Sequence, residues 1–262
     1  MLLPFIGCCS SLNKVTEENT SFSFIQMSDP QLGFKEESGF EEGLVLLDKM
    51  VKVINETRPA FVIVTGDMTN SSKSEKQYVA YMNKLSQVSK DIPVYHIPGN
   101  HDISSSDAEQ IAKFVKKYGA ERFSFKYNGV AFIGINSCPI RDGAADIEAE
   151  QKIWLEKELG KAQNASQTYV FMHCPIVTKT MDDKETYSNF PIPKRREYLD
   201  LFKKYGVDAM FAGHLHQCFS CVLDGIEMVT CGPSGKPLGS GFPGYNLVTV
   251  TKEGYSYKYI AL

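Results

Sequence analysis

Phe61-Val62-Ile63-Val64-Thr65-Gly66-Asp67-Met68-Thr69-Asn70 decides how this chain is read. From Phe61 to Thr65 every residue is apolar or β-branched, as in a strand buried on both faces of a sheet, and Gly66 ends the run. A carboxylate, Asp67, follows at once. Upstream, Ser21 to Met27 is a short β-type run, and Phe40 to Asn55 places Leu44, Leu47, Val51 and Ile54 at helical spacing until Thr57-Arg58-Pro59 stops it. Strand, helix, strand makes a βαβ unit. Downstream the unit repeats: 74–88 reads as helix, 93–97 as strand, and Pro98-Gly99 turns the chain into Asn100-His101-Asp102. In open α/β sheets, ligands gather at the carboxyl ends of strands, so polar residues placed there mark a candidate site.

The second half continues in a mixed pattern. Residues 122–126 and 130–136 flank Asn128-Gly129, a strong two-residue hairpin signal. Residues 147–162 read as helix and 168–172 as a strand ending at His173. A helix with an early proline follows over 193–205, then a strand over 208–212 ending at Gly213. The tail is β-rich, with turns at Asp224-Gly225 and Glu253-Gly254. No linker-like stretch and no internal repeat divides residues 21–262, which read as one α/β domain.

The chain has 262 residues, 43% of them hydrophobic and 23% charged, an ordinary globular composition. Its net charge is −3 and its Lys and Arg are scattered, so no nucleic-acid partner is expected. No apolar stretch approaches the ~20 residues of a membrane-spanning helix. Met1 to Cys9 is apolar and ends in small residues and cysteine, resembling a bacterial lipoprotein signal tail without its basic start. Residues 1–20 are therefore set outside the fold, as a disordered leader or a lipoprotein-like tail. The tail would imply a lipid anchor and a cell-envelope or periplasmic location; otherwise the cytoplasm is expected. Seven cysteines form no zinc-site spacing. Counting outward from Asp224-Gly225 sets Cys218 opposite Cys231, close enough for a disulfide if the register holds.

Five segments follow hydrophobic runs in order: Asp29-Pro30-Gln31, Gly66-Asp67-Met68-Thr69-Asn70, Gly99-Asn100-His101-Asp102, His173, and Gly213-His214-Leu215-His216. Four of the five histidines lie in them, and His96, inside a strand, reads as a core residue. This series resembles the calcineurin-like metallophosphoesterase family, whose pattern runs D-x-H, G-D-x-x-D/N, G-N-H-D/E, a lone His, then G-H-x-H. The resemblance covers about residues 22–250. Gln31 stands where that pattern has histidine. Leu32-Gly33-Phe34, Arg122-Phe-Ser-Phe125 and Ile135-Asn-Ser137 further resemble the branch of calcineurin-like-phosphoesterase-domain-containing Ser/Thr phosphatases.

The resemblance implies two packed mixed β-sheets flanked by helices, with two divalent metals along one edge. Such a pair lowers the pKa of a shared water and stabilises charge on the phosphoryl oxygens. By the family pattern Asp67 bridges the metals, Asp29 and His216 hold one, and Asn100, His173 and His214 hold the other. Gln31 could offer its carbonyl oxygen to the first. Oxygen and imidazole donors suit manganese, iron or zinc. His101, outside the ligand set, is expected to protonate the leaving group, with Asp102 beside it as orienter. Alignment with the branch points to Asn189 and Arg195 for the substrate, since a guanidinium grips phosphate through paired donors. The expected activity is hydrolysis of phosphomonoesters, on a small molecule or a phosphoprotein. A phosphodiesterase acting on cyclic or other nucleotides is the enzymatic alternative, and a metal-binding interaction module the non-catalytic one. No nucleophile elbow, P-loop or dinucleotide fingerprint competes.

Overall fold

A computed structural model describes residues 21–262; the leader or lipoprotein-like reading of residues 1–20, with Cys8 and Cys9, lies outside the described residues. The first βαβ units form as expected: β1 (Phe22–Met27), α1 (Glu36–Thr57), β2 (Val62–Thr65), α2 (Glu75–Leu85) and β3 (Val94–Ile97). The next helix, α3 (Ala108–Tyr118), had no counterpart in the sequence reading. Its start is fixed by Asp107, whose side chain accepts from the amide of Gln110 at 2.9 Å and satisfies an otherwise unpaired donor.

The hairpin β4 (Phe123–Tyr127) and β5 (Val130–Gly134) turns at Asn128 and Gly129 with φ of 46° and 80°, the left-handed pair that suits Asn-Gly. A one-turn helix α4 (Cys138–Asp142), α5 (Ala145–Ala162), β6 (Thr168–Phe171), α6 (Ile192–Lys204) and β7 (Ala209–Ala212) follow. The tail comprises β8 (Phe219–Leu223), β9 (Ile226–Thr230), β10 (Gly244–Thr251) and β11 (Gly254–Ala261).

These strands build two mixed sheets, of order β11-β10-β1-β2-β3 and β4-β5-β6-β7-β9-β8. Their facing sides are aromatic. Phe24, Phe61 and Ile63 of the first sheet meet Phe132, Phe171 and Phe211 of the second, with Phe24 edge-on to Phe171 at 5.8 Å and Phe171 stacked on Phe211 at 5.1 Å. Each such fully buried ring is worth roughly 1.5–3 kcal/mol of transfer free energy, so this seam fixes the sheets face to face. Leu47, Met50 and Ile54 of α1 cover the outer face of the first sheet, while Leu155 and Leu159 of α5 with Tyr198, Leu199 and Phe202 of α6 cover the second. The result is the expected pair of sheets flanked by helices.

A buried polar link crosses the seam at Gln26. Gln26 on β1 is fully buried, donates to the carbonyl of Ala212 at 2.9 Å and accepts from Asn246 at 3.0 Å. It ties the end of β1 to the end of β7, the two strands that deliver Asp29 and His214.

The β8–β9 register, with Leu223 opposite Ile226 and Phe219 opposite Thr230, is the one counted from the turn. The disulfide expectation is nevertheless corrected: Cys218 and Cys231 are both free thiols. Cys231 is buried and directs its sulfur at the carbonyl of Gln26, 3.6 Å away, whereas Cys218 is exposed. Among the described residues, no helix is long and apolar enough to cross a membrane.

Candidate metal centre

In both sheets the strands that run parallel end on one side, and the five sequence segments leave from those ends: Asp29 after β1, Asp67 after β2, Asn100 after β3, His173 after β6, and His214 and His216 after β7. Their backbones are unusual. Asp29, Gln31, Asp67, His214 and His216 have φ of 47°, 36°, 54°, 68° and 50°, left-handed values that side chains other than glycine seldom adopt. Each costs on the order of 1–3 kcal/mol and persists only where surrounding structure enforces it, which marks this edge as functional. Close approach is also enforced. Gly66 sits at φ 93° and any β-carbon on it would collide with the His173 ring, while one on Gly99 would strike the Asp67 carboxylate.

Most of these side chains have one polar atom anchored by protein and another turned to a neighbour of the group or left over. Asp29 Oδ2 accepts from Ser28 Oγ at 2.5 Å and from the His214 amide at 3.0 Å, leaving Oδ1 buried with no hydrogen-bond partner, 3.4 Å from His216 Nε2. Asp67 Oδ1 accepts from the His101 amide at 2.8 Å; Oδ2 lies 3.5 Å from His173 Nε2. His173 Nδ1 is held by the carbonyl of Thr65 at 2.8 Å, so Nε2 faces Asp67 and the Asn100 amide oxygen, 3.1 Å away. His214 Nε2 meets the carbonyl of Tyr187 at 3.1 Å, leaving Nδ1. Gln31 Nε2 donates to Asn70 Oδ1 at 3.3 Å, and its Oε1 is buried without a partner, as is His216 Nδ1.

Orphaned buried oxygens beside imidazole nitrogens, with the His173 and His214 rings fixed through their other nitrogens, are what a cation site requires. Ligand atoms of Asp29, Asp67 and His173 lie within 4.8 Å of one another. The residues present therefore fit divalent metals, with oxygen and nitrogen donors in the mix that borderline cations accept.

Electrostatics agree with two carboxylate–imidazole pairings. Burial alone would raise the Asp29 and Asp67 carboxyls, but His216 and His173 respectively bring both below the usual carboxylate range. The same pairings lift His173 well above an ordinary histidine and raise His216, against burial that pulls each down.

Two further expectations need correcting. Asp102 does not orient His101: its carboxylate accepts from the amides of Gly99 at 2.9 Å and Thr69 at 3.3 Å, and burial, with Asp67 next, pushes it up to about 8. The ring of His101 is held instead by the carbonyl of Asn70, 2.9 Å from Nδ1. Adjacent residues on a tight loop point apart, so Asp102 pins the loop and Asn70 aims the imidazole. Nor do Asn189 and Arg195 face the site. Arg195 is buried and gives its guanidinium hydrogens to the carbonyls of Phe190, Met181, Asp183 and Lys184. Asn189 accepts from the Thr186 amide at 2.9 Å and donates to the carbonyl of Lys184 at 3.0 Å. With these donors spent on main chain, both brace the segment 178–191 from within.

That braced segment carries the residue the sequence reading passed over. Tyr187, 61% exposed at the mouth of the site, receives a hydrogen bond from Asn100 Nδ2 on its hydroxyl. Its carbonyl holds His214, and its ring lies 4.9 Å from the His214 ring and from the guanidinium carbon of Arg141. Only its place between two motif segments could have flagged it; Arg141 had no sequence signal at all. His96, left outside the site, is indeed remote from these groups and bonds to the Tyr81 hydroxyl at 3.1 Å.

A two-sheet sandwich presenting this donor edge is the architecture of a metal-dependent phosphoesterase. The calcineurin-like phosphoesterase model matches residues 22–218, and the chain belongs to that family of hydrolases. It is similar to serine/threonine-protein phosphatase CPPED1 of Danio rerio, at 30% identity over 92% of this chain and 85% of that protein. The Rattus norvegicus protein of the same name is 29% identical, over 96% of this chain and 88% of that one. In three dimensions the chain resembles a dimetal phosphatase from Danio rerio, with a TM-score of 0.67, 13% identity and coverage of 92% of this chain and 98% of the other.

Proposed function

We propose that the protein is a phosphomonoesterase that removes phosphate from serine or threonine side chains of a phosphoprotein, using two divalent cations drawn from manganese, iron and zinc. The observation that carries this reading is the set of donor groups gathered at the strand ends, those of Asp29, Gln31, Asp67, Asn100, His173, His214 and His216, among which Asp29 Oδ1, Gln31 Oε1 and His216 Nδ1 are buried without a partner. We assign Asp29, Gln31 and His216 to one cation, Asn100, His173 and His214 to the other, and Asp67 to both. Gln31 is placed in the ligand set because its amide nitrogen is tethered to Asn70 while its amide oxygen is buried with no partner. When bound, the cations would polarise the phosphoryl group and make a water more acidic.

The protein's own groups do the rest. Thr65, Tyr187 and Asn70 supply carbonyls that fix the rings of His173, His214 and His101. His101, anchored through Nδ1, presents Nε2 to donate a proton to the departing oxygen. A serine or threonine alkoxide is strongly basic, and such a donor is typically worth ~100- to 10,000-fold. The Tyr187 hydroxyl, held by Asn100, stands at the entrance the phosphoryl group must pass. Attachment to a cell envelope is proposed on the Met1–Cys9 stretch alone.

The test is a panel run on protein stripped of metal and reloaded separately with manganese, iron or zinc. Turnover of p-nitrophenyl phosphate and a phosphoseryl peptide, well above that of bis-p-nitrophenyl phosphate and a cyclic nucleotide, is expected. Turnover of the diesters alone would replace the reading with a phosphodiesterase. Retained metal with no turnover of any ester would replace it with an interaction module.

A further inference from the structure

A trough leads away from the candidate metal centre on the side of His214 and His216. Two cavities compose it, one of about 700 Å³ beside His216 and one of about 430 Å³ beside His214, and Gln217, Cys218 and Leu238 line both. Tyr187 lines the cavity beside His214, Phe242 the one beside His216, and Leu238 both, and they are exposed by 61%, 55% and 45%. No carboxylate lines either cavity, and Lys179 is the single cation of their lining.

We infer that this trough receives the residues flanking the phosphorylated side chain of an extended protein segment, and that it selects segments whose flanking side chains are apolar and uncharged. The inference takes the reacting group from the phosphatase reading above and adds what the rest of the substrate must look like. A monoester has one substituent to place beyond the phosphoryl group, and the open way out past His214 and His216 is this trough.

The lining chooses among occupants. Charged flanks would give up hydration against Tyr187, Leu238 and Phe242 with nothing but Lys179 to compensate a negative charge and no carboxylate to compensate a positive one. A nucleotide with further phosphates would need several donors of the guanidinium or ammonium kind, and only Lys179 is there. A lipid chain would have no use for the hydroxyls of Thr178, Ser188 and Ser240, or for the main chain laid bare at Gly239 and Gly241. A peptide needs such groups, because its own amides and carbonyls must be paired once buried. The two cavities share Gln217, Cys218 and Leu238 and are bordered by Phe219 of the edge strand β8, where an extended segment can run beside a strand.

The experiment compares three short phosphoseryl peptides, flanked by leucine and valine, by glutamate, or by lysine, with p-nitrophenyl phosphate as the flank-free reference. Wild-type protein should favour the apolar peptide by about tenfold or more in kcat/KM, the scale set by burying two or three apolar side chains. Leu238→Asp should erase most of that preference. Ile153→Asp, at an exposed apolar position on α5, should keep it. Equal preference in wild type and Leu238→Asp would overturn the inference.

Fluorescence anisotropy with the same peptides keeps the two readings separate. If no ester is turned over, the phosphatase reading falls, yet tighter binding of the apolar peptide lost in Leu238→Asp would still uphold the trough. Equal binding and equal turnover of all three peptides, with p-nitrophenyl phosphate hydrolysed, would sink the trough and leave the phosphatase standing.

Discussion

Replacing His96 by glutamine should flatten the acid limb of this protein's stability curve. His96 lies on β3, packed beneath Tyr81 and Tyr118, and burial pushes its imidazole down from 6.5 to about 4. A base with a depressed folded pKa stays neutral in the native state while the unfolded chain takes up a proton. Its neutrality thus favours folding fully above about pH 6.5, and stability is lost as pH falls from there toward 4. The displacement corresponds to about 3 kcal/mol when fully developed, of which about 2 kcal/mol falls between pH 7 and pH 5. Glutamine does not titrate and can still bond the Tyr81 hydroxyl. Urea denaturation of both proteins across this range, at one fixed metal concentration, reads the effect as a difference, so the titration of Asp29, Asp67 and the ligand histidines cancels. Wild type should lose about 2 kcal/mol more than His96→Gln between pH 7 and pH 5. Parallel curves would show that the native state accommodates a charged His96, and would refute the burial argument.

His101→Ala should lower turnover of a phosphoseryl peptide by roughly 100-fold or more and that of p-nitrophenyl phosphate much less, since nitrophenolate needs little protonation; equal losses would remove the general acid. Asp67→Asn should abolish activity and weaken retention of both cations, measured by metal analysis after dialysis; two ions kept at full affinity would contradict a shared carboxylate. Gln31→His should tighten one metal and move the activating preference toward zinc or iron in parallel metal titrations, whereas superimposable titrations would make Gln31 a bystander. Tyr187→Phe preserves the ring and the carbonyl that holds His214 and removes only the hydroxyl, so metal content should stay at the wild-type level while inorganic phosphate inhibits less strongly. An unchanged phosphate inhibition constant would exclude the hydroxyl from the phosphoryl site.

Individual strands and the polar segments at their ends were legible in the sequence through local signals, whereas the two-sheet frame and the grouping of seven donor residues followed from the family resemblance. A short β-branched run such as Phe61–Thr65 closed by a glycine reads as a buried strand, and the polar residue after the glycine marks its end. Contacts across the chain were not legible. Nothing near Arg195 in sequence announces that its hydrogens go to four carbonyls, and a lone arginine after a proline reads equally as a phosphate grip. Asp102 looked like the partner of His101 because it is adjacent, yet a tight loop sends neighbouring side chains in different directions. Tyr187 reaches Asn100 over 87 residues and Arg141 over a gap nearly as open to choice, a pairing only the folded backbone decides. The helix Ala108–Tyr118 did leave a local signal, with Ile111, Phe114, Val115 and Tyr118 at i, i+3, i+4 and i+7 behind the cap Asp107, and the sequence reading did not use it.

The carboxylate–imidazole pairings at the strand ends give the empty and loaded proteins different proton inventories. Without cations, Asp67 and Asp29 keep His173 and His216 protonated to higher pH than ordinary histidines, so hydrogen ions stand in the place of metal. A nitrogen must shed its proton before it can coordinate. Uptake of the cations is then an exchange reaction that acidifies unbuffered medium, and a compartment growing more acidic would unload the protein without any change in the metal supply around it.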